Sequence, residues 1–118
     1  MRRAPESEPG SLNIYIVEDD DALRDDFCRA VQTCPRLRLF GATGSAQEAL
    51  RVLRQRPAID VLLVDLGLPD GDGTDVIRVM RTELAQAQAL VISVFADDRR
   101  VLPAFAAGAR GYLHQGCE

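Results

Sequence analysis

A chain of 118 residues with 47% hydrophobic composition sits near the usual length of one domain and can bury one core without disulfides or a structural metal. Its formal net charge of -4 excludes a general nucleic-acid surface, which needs clustered cations, so no direct DNA contact by this stretch is expected. No run approaches the roughly 18 apolar residues of a membrane span, and the opening MRRAPESEPG carries acids and prolines where a secretory signal needs an apolar stretch; the expectation is a cytoplasmic chain with no membrane contact.

Residues 1–11 mix Pro, Gly, Ser, Glu and Arg, too little apolar surface to offset their ordering entropy, and read as a disordered tail before a single domain over 12–118. The first strand is expected at Leu12 to Val17. Leu23, Phe27, Ala30, Val31 and Cys34 then recur at helical spacing, and a second strand is expected at Leu37 to Ala42. Ser45 stands three residues before Glu48 in a capping-box pattern, Ala46, Ala49, Leu50 and Leu53 make the stripe of a second helix, and Pro57 marks its exit. A third strand, Ile59 to Val64, is nearly uniformly apolar, as a strand buried on both faces is. Val76, Ile77, Met80 and Leu84 form the next helical stripe, followed by a strand at Leu90 to Val94. The fourth helix is expected to begin near Asp97 or Asp98, with a late start or a kink at Pro103, whose ring and missing N–H cost about 3 kcal/mol inside a helix. A last strand spans Gly111 to His114. This alternation of strands and helices predicts an α/β fold around a parallel sheet. The three cysteines, Cys28, Cys34 and Cys117, are odd in number and lack CxxC spacing, which predicts idle thiols.

A parallel sheet delivers the C-terminal ends of its strands to one edge, where open α/β folds bind ligands. The first strand runs into Glu18-Asp19-Asp20-Asp21, the third into Asp65, and the fourth reaches Ser93. If the first and third strands are neighbours at about 4.8 Å, Glu18, Asp19 and Asp65 crowd one another. Their repulsion raises their pKa values unless a cation neutralises them, and an all-oxygen set of this kind suits Mg2+. Asp20, Asp21, Asp25 and Asp26 read instead as helix-start acids that favour the dipole.

The segments IYIVEDD, VLLVDLGLPDGDG, VISV and AGARGYL, in that order over residues 12–116, resemble the receiver domains of bacterial two-component response regulators. The spacings are similar too: 46 residues from Asp19 to Asp65, 28 from Asp65 to Ser93 and 22 from Ser93 to Gln115. The resemblance implies a doubly wound, five-stranded, flavodoxin-like sheet of order 2-1-3-4-5. It also implies a signalling module and no enzyme, with Asp65 as phosphoacceptor, Glu18 and Asp19 as the acidic pair, and the Gly67 carbonyl as a further Mg2+ ligand. Ser93 takes the place of the switch hydroxyl and Tyr112 of the switch aromatic, while Pro69 and Gly71 shape the turn after the third strand. A sensor histidine kinase is the implied donor. The stretch VISVFADDRRVLPAFAAGARGYL is most similar to NarL/LuxR-type members, whose transcriptional output lies in a separate DNA-binding domain.

Two features depart from that pattern. Gln115 occupies the place of the usual lysine, and none of the 14 basic residues is a lysine, so a charge-assisted contact worth about 1–3 kcal/mol is exchanged for a neutral one. His114, one residue earlier, reads as an outward-facing strand end. The 118 residues also hold no segment for the family's fifth helix, which leads to the expectation of a homodimer that covers apolar surface. The alternative reading is a degenerate receiver, a binding or dimerisation module independent of phosphorylation. Asp70-Gly71-Asp72-Gly73-Thr74 also spells the DxDGT signature of haloacid-dehalogenase-type phosphatases, but Pro69 precedes it and no buried strand leads into it.

Overall fold

The computed structural model describes residues 10–93 and 101–114. In chain order they form β1 (Leu12–Val17), α1 (Asp21–Gln32), β2 (Leu37–Thr43), α2 (Ala46–Leu53), β3 (Val61–Asp65), a hairpin of β4 (Gly67–Leu68) and β5 (Gly71–Asp72), α3 (Gly73–Glu83), β6 (Gln88–Ser93), α4 (Val101–Ala107) and β7 (Gly111–His114). The five long strands pair in the order β2-β1-β3-β6-β7, every pair parallel, which is the 2-1-3-4-5 order expected for a flavodoxin-like sheet. β4 and β5 pair antiparallel outside it.

Alternation along the strands divides the core between the two faces of the sheet. Tyr15, Val17, Leu62 and Val64 pack with Leu53 of α2, Val76, Ile77 and Met80 of α3 and Ala104 of α4. Ile14, Ile16, Leu63 and Ile92 face the other way onto Val31 of α1, with Phe27 and Cys28 partly buried beside them. The central strand is apolar on both sides because it is covered on both.

Several boundaries differ from the sequence reading. β3 starts at Val61 rather than Ile59, because the Ile59 N–H bonds the Pro57 carbonyl at 2.9 Å and closes a turn there. β6 starts at Gln88, ahead of Leu90, since Gln88 pairs with Val61 and its N–H reaches the Asp60 carbonyl at 3.0 Å. On α1 Val31 is buried and Phe27 and Cys28 pack partly buried beside it, while Leu23 and Cys34 are half-buried and Ala30, expected in the stripe, is exposed. Pro103 is the third described residue of α4 (Val101–Ala107). Residues 1–9 of the expected tail, the expected helix start at Asp97 or Asp98, Val94, Gln115 and Cys117 lie outside the described residues.

Candidate metal centre at the sheet edge

β1 and β3 are hydrogen-bonded neighbours in which Val17 is partnered with Val64, so the residues that follow, Glu18 and Asp65, lie side by side at the sheet edge. One carboxylate oxygen from each of Glu18, Asp19 and Asp65 lies within 4.8 Å of the other two. Glu18 is buried, Asp65 half-buried and Asp19 exposed, giving a group open on one side. Mg2+ takes oxygen ligands at about 2.1 Å and binds through few carboxylates, keeping several waters, so the three side chains would close in on such an ion. The donors are hard oxygens, which fit a divalent cation of this class.

The electrostatics point the same way. The Asp65 carboxyl is pushed up to about 7, first by burial and then by the Glu18 charge. Glu18 is also raised, again chiefly by burial. Two adjacent carboxyls that resist ionisation are a group short of positive charge.

The loop below them is held by backbone bonds. The Glu18 N–H donates to the Thr43 carbonyl at 2.9 Å, a Glu18 side-chain oxygen accepts from the Asp20 N–H at 3.0 Å, and the Arg24 guanidinium donates to the Glu18 carbonyl at 2.8 Å. Gly67 opens β4, and its N–H donates to Asp65 Oδ1 at 3.3 Å. Gly67 therefore sits against the Asp65 carboxylate.

Ser93 ends β6, one residue beyond Ile92, the partner of Asp65. Its own partner is His114, and Tyr112 is paired with Val91. The backbones of Ser93, Tyr112 and His114 are thus in the expected strands; their side chains, like the whole of Gln115, lie outside the described residues.

The remaining acids behave as helix chemistry. Asp20 caps α1 and accepts from the Leu23 N–H at 3.0 Å. Asp21 pairs with Arg24, and Asp26 with Arg29. Ser45 caps α2 by accepting from the Glu48 N–H at 3.0 Å, but only half of the expected capping box is present: the Ser45 N–H turns to Thr43 Oγ1 and Glu48 pairs with Arg51. Neither acid of the DxDGT stretch follows a buried strand, for Asp72 caps α3 through the Thr74 N–H and Asp70 is occupied by the start of α2. The sequence reading missed two residues of this edge, Arg24 and Asp70. Arg24 left one trace, its i+3 spacing from Asp21 in the first turn of α1.

A family model described as the response regulator receiver domain matches residues 14–118. The chain is 31% identical over 103 residues to the DNA-binding transcriptional activator DevR/DosR of Mycobacterium tuberculosis, covering 86% of this chain and 46% of that protein. It is 35% identical over 101 residues to the KDP operon transcriptional regulatory protein KdpE of Escherichia coli, covering 86% and 43%. The chain thus spans less than half the length of these relatives. Its structure is similar to that of a LuxR-family two-component response regulator from Aurantimonas sp. SI85-9A1, with a TM-score of 0.80 at 27% identity, covering 92% of this chain and 76% of that one.

Proposed function

The chain belongs to the response regulator receiver domain family, and from that premise we propose that Asp65 accepts a phosphoryl group from a sensor histidine kinase at a site that also holds Mg2+. The observation that carries this reading is the convergence of Glu18, Asp19 and Asp65 within 4.8 Å. Glu18, Asp19 and Asp65, with the Gly67 carbonyl, are the residues that would hold the ion. When bound, Mg2+ supplies positive charge that keeps the carboxylates ionised and offsets charge on the transferring oxygens.

The chain's own residues do the rest. An Asp65 oxygen attacks the phosphorus of a phosphohistidine or a small acyl phosphate; the new O–P bond forms as the P–N or P–O bond of the donor breaks, and the leaving group takes the electron pair. The Gly67 N–H orients the attacking carboxylate. The buried wall of Val17, Val64 and Leu66 behind Asp65 and Glu18 fixes the direction of approach, so catalysis rests on positioning. Ser93 then hydrogen-bonds a phosphoryl oxygen and Tyr112 follows it, carrying the change toward β7 and α4. Gln115 supplies a neutral hydrogen bond where a cation is usual, which favours slower acquisition of the group.

Transcriptional regulators among the relatives support a role in transcription control for the protein to which this domain belongs. Among the described residues no helix is long and apolar enough to cross a membrane, in keeping with a cytoplasmic signalling role. Exposed Leu102 and Phe105 on α4 favour self-association as a homodimer, which light scattering over the micromolar range checks. The function itself is tested by incubating wild type and Asp65→Asn with Mg2+ and acetyl phosphate and weighing both by mass spectrometry. Gain of one phosphoryl group by wild type alone is the expected result; gain by neither makes the chain a phosphorylation-independent binding module.

A further inference from the structure

Asp70 sits exposed at the tip of the β4–β5 hairpin, where a carboxylate is ordinarily left to water. Here it is bonded to a helix that starts 24 residues earlier. It accepts from the Ala46 N–H at 2.7 Å, the Gln47 N–H at 3.0 Å and the Ser45 hydroxyl at 2.7 Å. These are charge-assisted bonds to amides that α2 cannot satisfy internally. They hold the Asp70 carboxyl down to about 2, the Gln47 amide contributing most. The next residue confirms how close the two elements are: a Cβ on Gly71 would lie 2.9 Å from the Ala46 Cβ.

Both ends of this contact lead to the carboxylate cluster. In one direction, the Ser45 N–H donates to Thr43 Oγ1 at 3.2 Å, and the Thr43 carbonyl accepts from the Glu18 N–H. In the other, the hairpin pairs Gly67 with Asp72, and the Gly67 N–H bonds Asp65. A ladder of two residues per strand is marginal by itself, so the hairpin needs an external hold. Asp70 provides it, tying the β3 side of the cluster to the β1 side through the start of α2.

We infer that Asp70 is a positioning residue for the metal and phosphoryl site, fixing Gly67 and Asp65 relative to Glu18 and Asp19 through its grip on the N-terminus of α2. The inference rests on the Mg2+-dependent reading of that site and adds a residue to it that touches neither ion nor phosphoryl group.

Wild type, Asp70→Asn and Asp70→Ala are compared by calorimetric titration with Mg2+, by amide hydrogen exchange of Ala46 and Gln47 without metal, and by far-UV circular dichroism. Asp70→Ala is expected to keep the wild-type dichroism, to exchange faster at both amides and to bind Mg2+ roughly tenfold more weakly, the lower end of what outer partners of metal sites contribute. Asp70→Asn, whose amide oxygen still accepts, is expected to recover most of that affinity. Should the alanine variant fail to fold, Asp70→Ser, which keeps one acceptor, takes its place with an intermediate loss. Wild-type Mg2+ affinity in a variant whose two amides are released overturns the inference. A wild type that takes up no Mg2+ at millimolar concentration overturns instead the site reading beneath it.

Discussion

Asp65 has a carboxyl raised from 3.8 to about 7 by burial and by Glu18, so the fold binds its proton more tightly than the unfolded chain does. The resulting stability is fully present below about pH 4 and is lost as pH rises through about 7. Discounted for the partial exposure of the group, this is about 1–2 kcal/mol. In metal-free solution Asp65→Asn is therefore expected to melt about 5 °C above wild type at pH 8 and to match it near pH 4. Thermal unfolding at the two pH values checks this, and equal melting at both would show a carboxyl with an ordinary pKa. Saturating Mg2+ is expected to flatten the wild-type dependence, because the ion takes over the neutralising role of the proton. Glu18, Asp19 and Asp65 were legible from sequence because each stands at a strand end, where topology dictates position. Asp70 was not, since its partners are two backbone amides and a hydroxyl at the start of another element, and amides leave no mark on a sequence.

The strands and helices with a clear apolar period were also legible, down to the exact limits of β1 and β7. The β4–β5 hairpin was not, because two residues per strand offer no period to read and only Pro69 and Gly71 hinted at a turn. Its geometry explains Gly73, the first residue of α3. The Gly73 N–H bonds the Leu66 carbonyl at 3.0 Å, and a Cβ there would collide with the Asp65 carbonyl oxygen and approach the Leu66 Cα at 2.8 Å. Both obstacles are backbone and cannot swing aside. Gly73→Ala is expected to cost about 1–3 kcal/mol as an overpacking change, measured as a lowered urea midpoint. Asp75→Ala, two residues further on, breaks only an exposed pair with Arg78 and is expected to stay within about 0.5 kcal/mol of wild type. A tolerant Gly73→Ala would mean that α3 can withdraw from β3 at little cost.

The strand order joins these parts into one carboxylate cluster, because Asp19 and Asp65 are 46 residues apart in sequence and meet only when β1 and β3 pair. An unfolded chain keeps the two carboxylates far apart, so it has little affinity for a ligand that needs both. Binding then stabilises the native state in full measure. With Mg2+ and beryllium fluoride at about a hundredfold excess over their dissociation constant, wild type is expected to gain about 2.7 kcal/mol, near 10 °C in melting temperature for a domain of this size. Asp65→Asn, which cannot present an anionic oxygen to the fluoride complex, is expected to gain far less, the remainder being whatever Mg2+ retains on Glu18 and Asp19. Melting curves of both proteins with Mg2+ alone and with Mg2+ plus beryllium fluoride separate the two contributions. If beryllium fluoride adds the same increment to both, it binds away from Asp65, and the phosphoacceptor assignment is wrong even though the fold and the acidic pair are right.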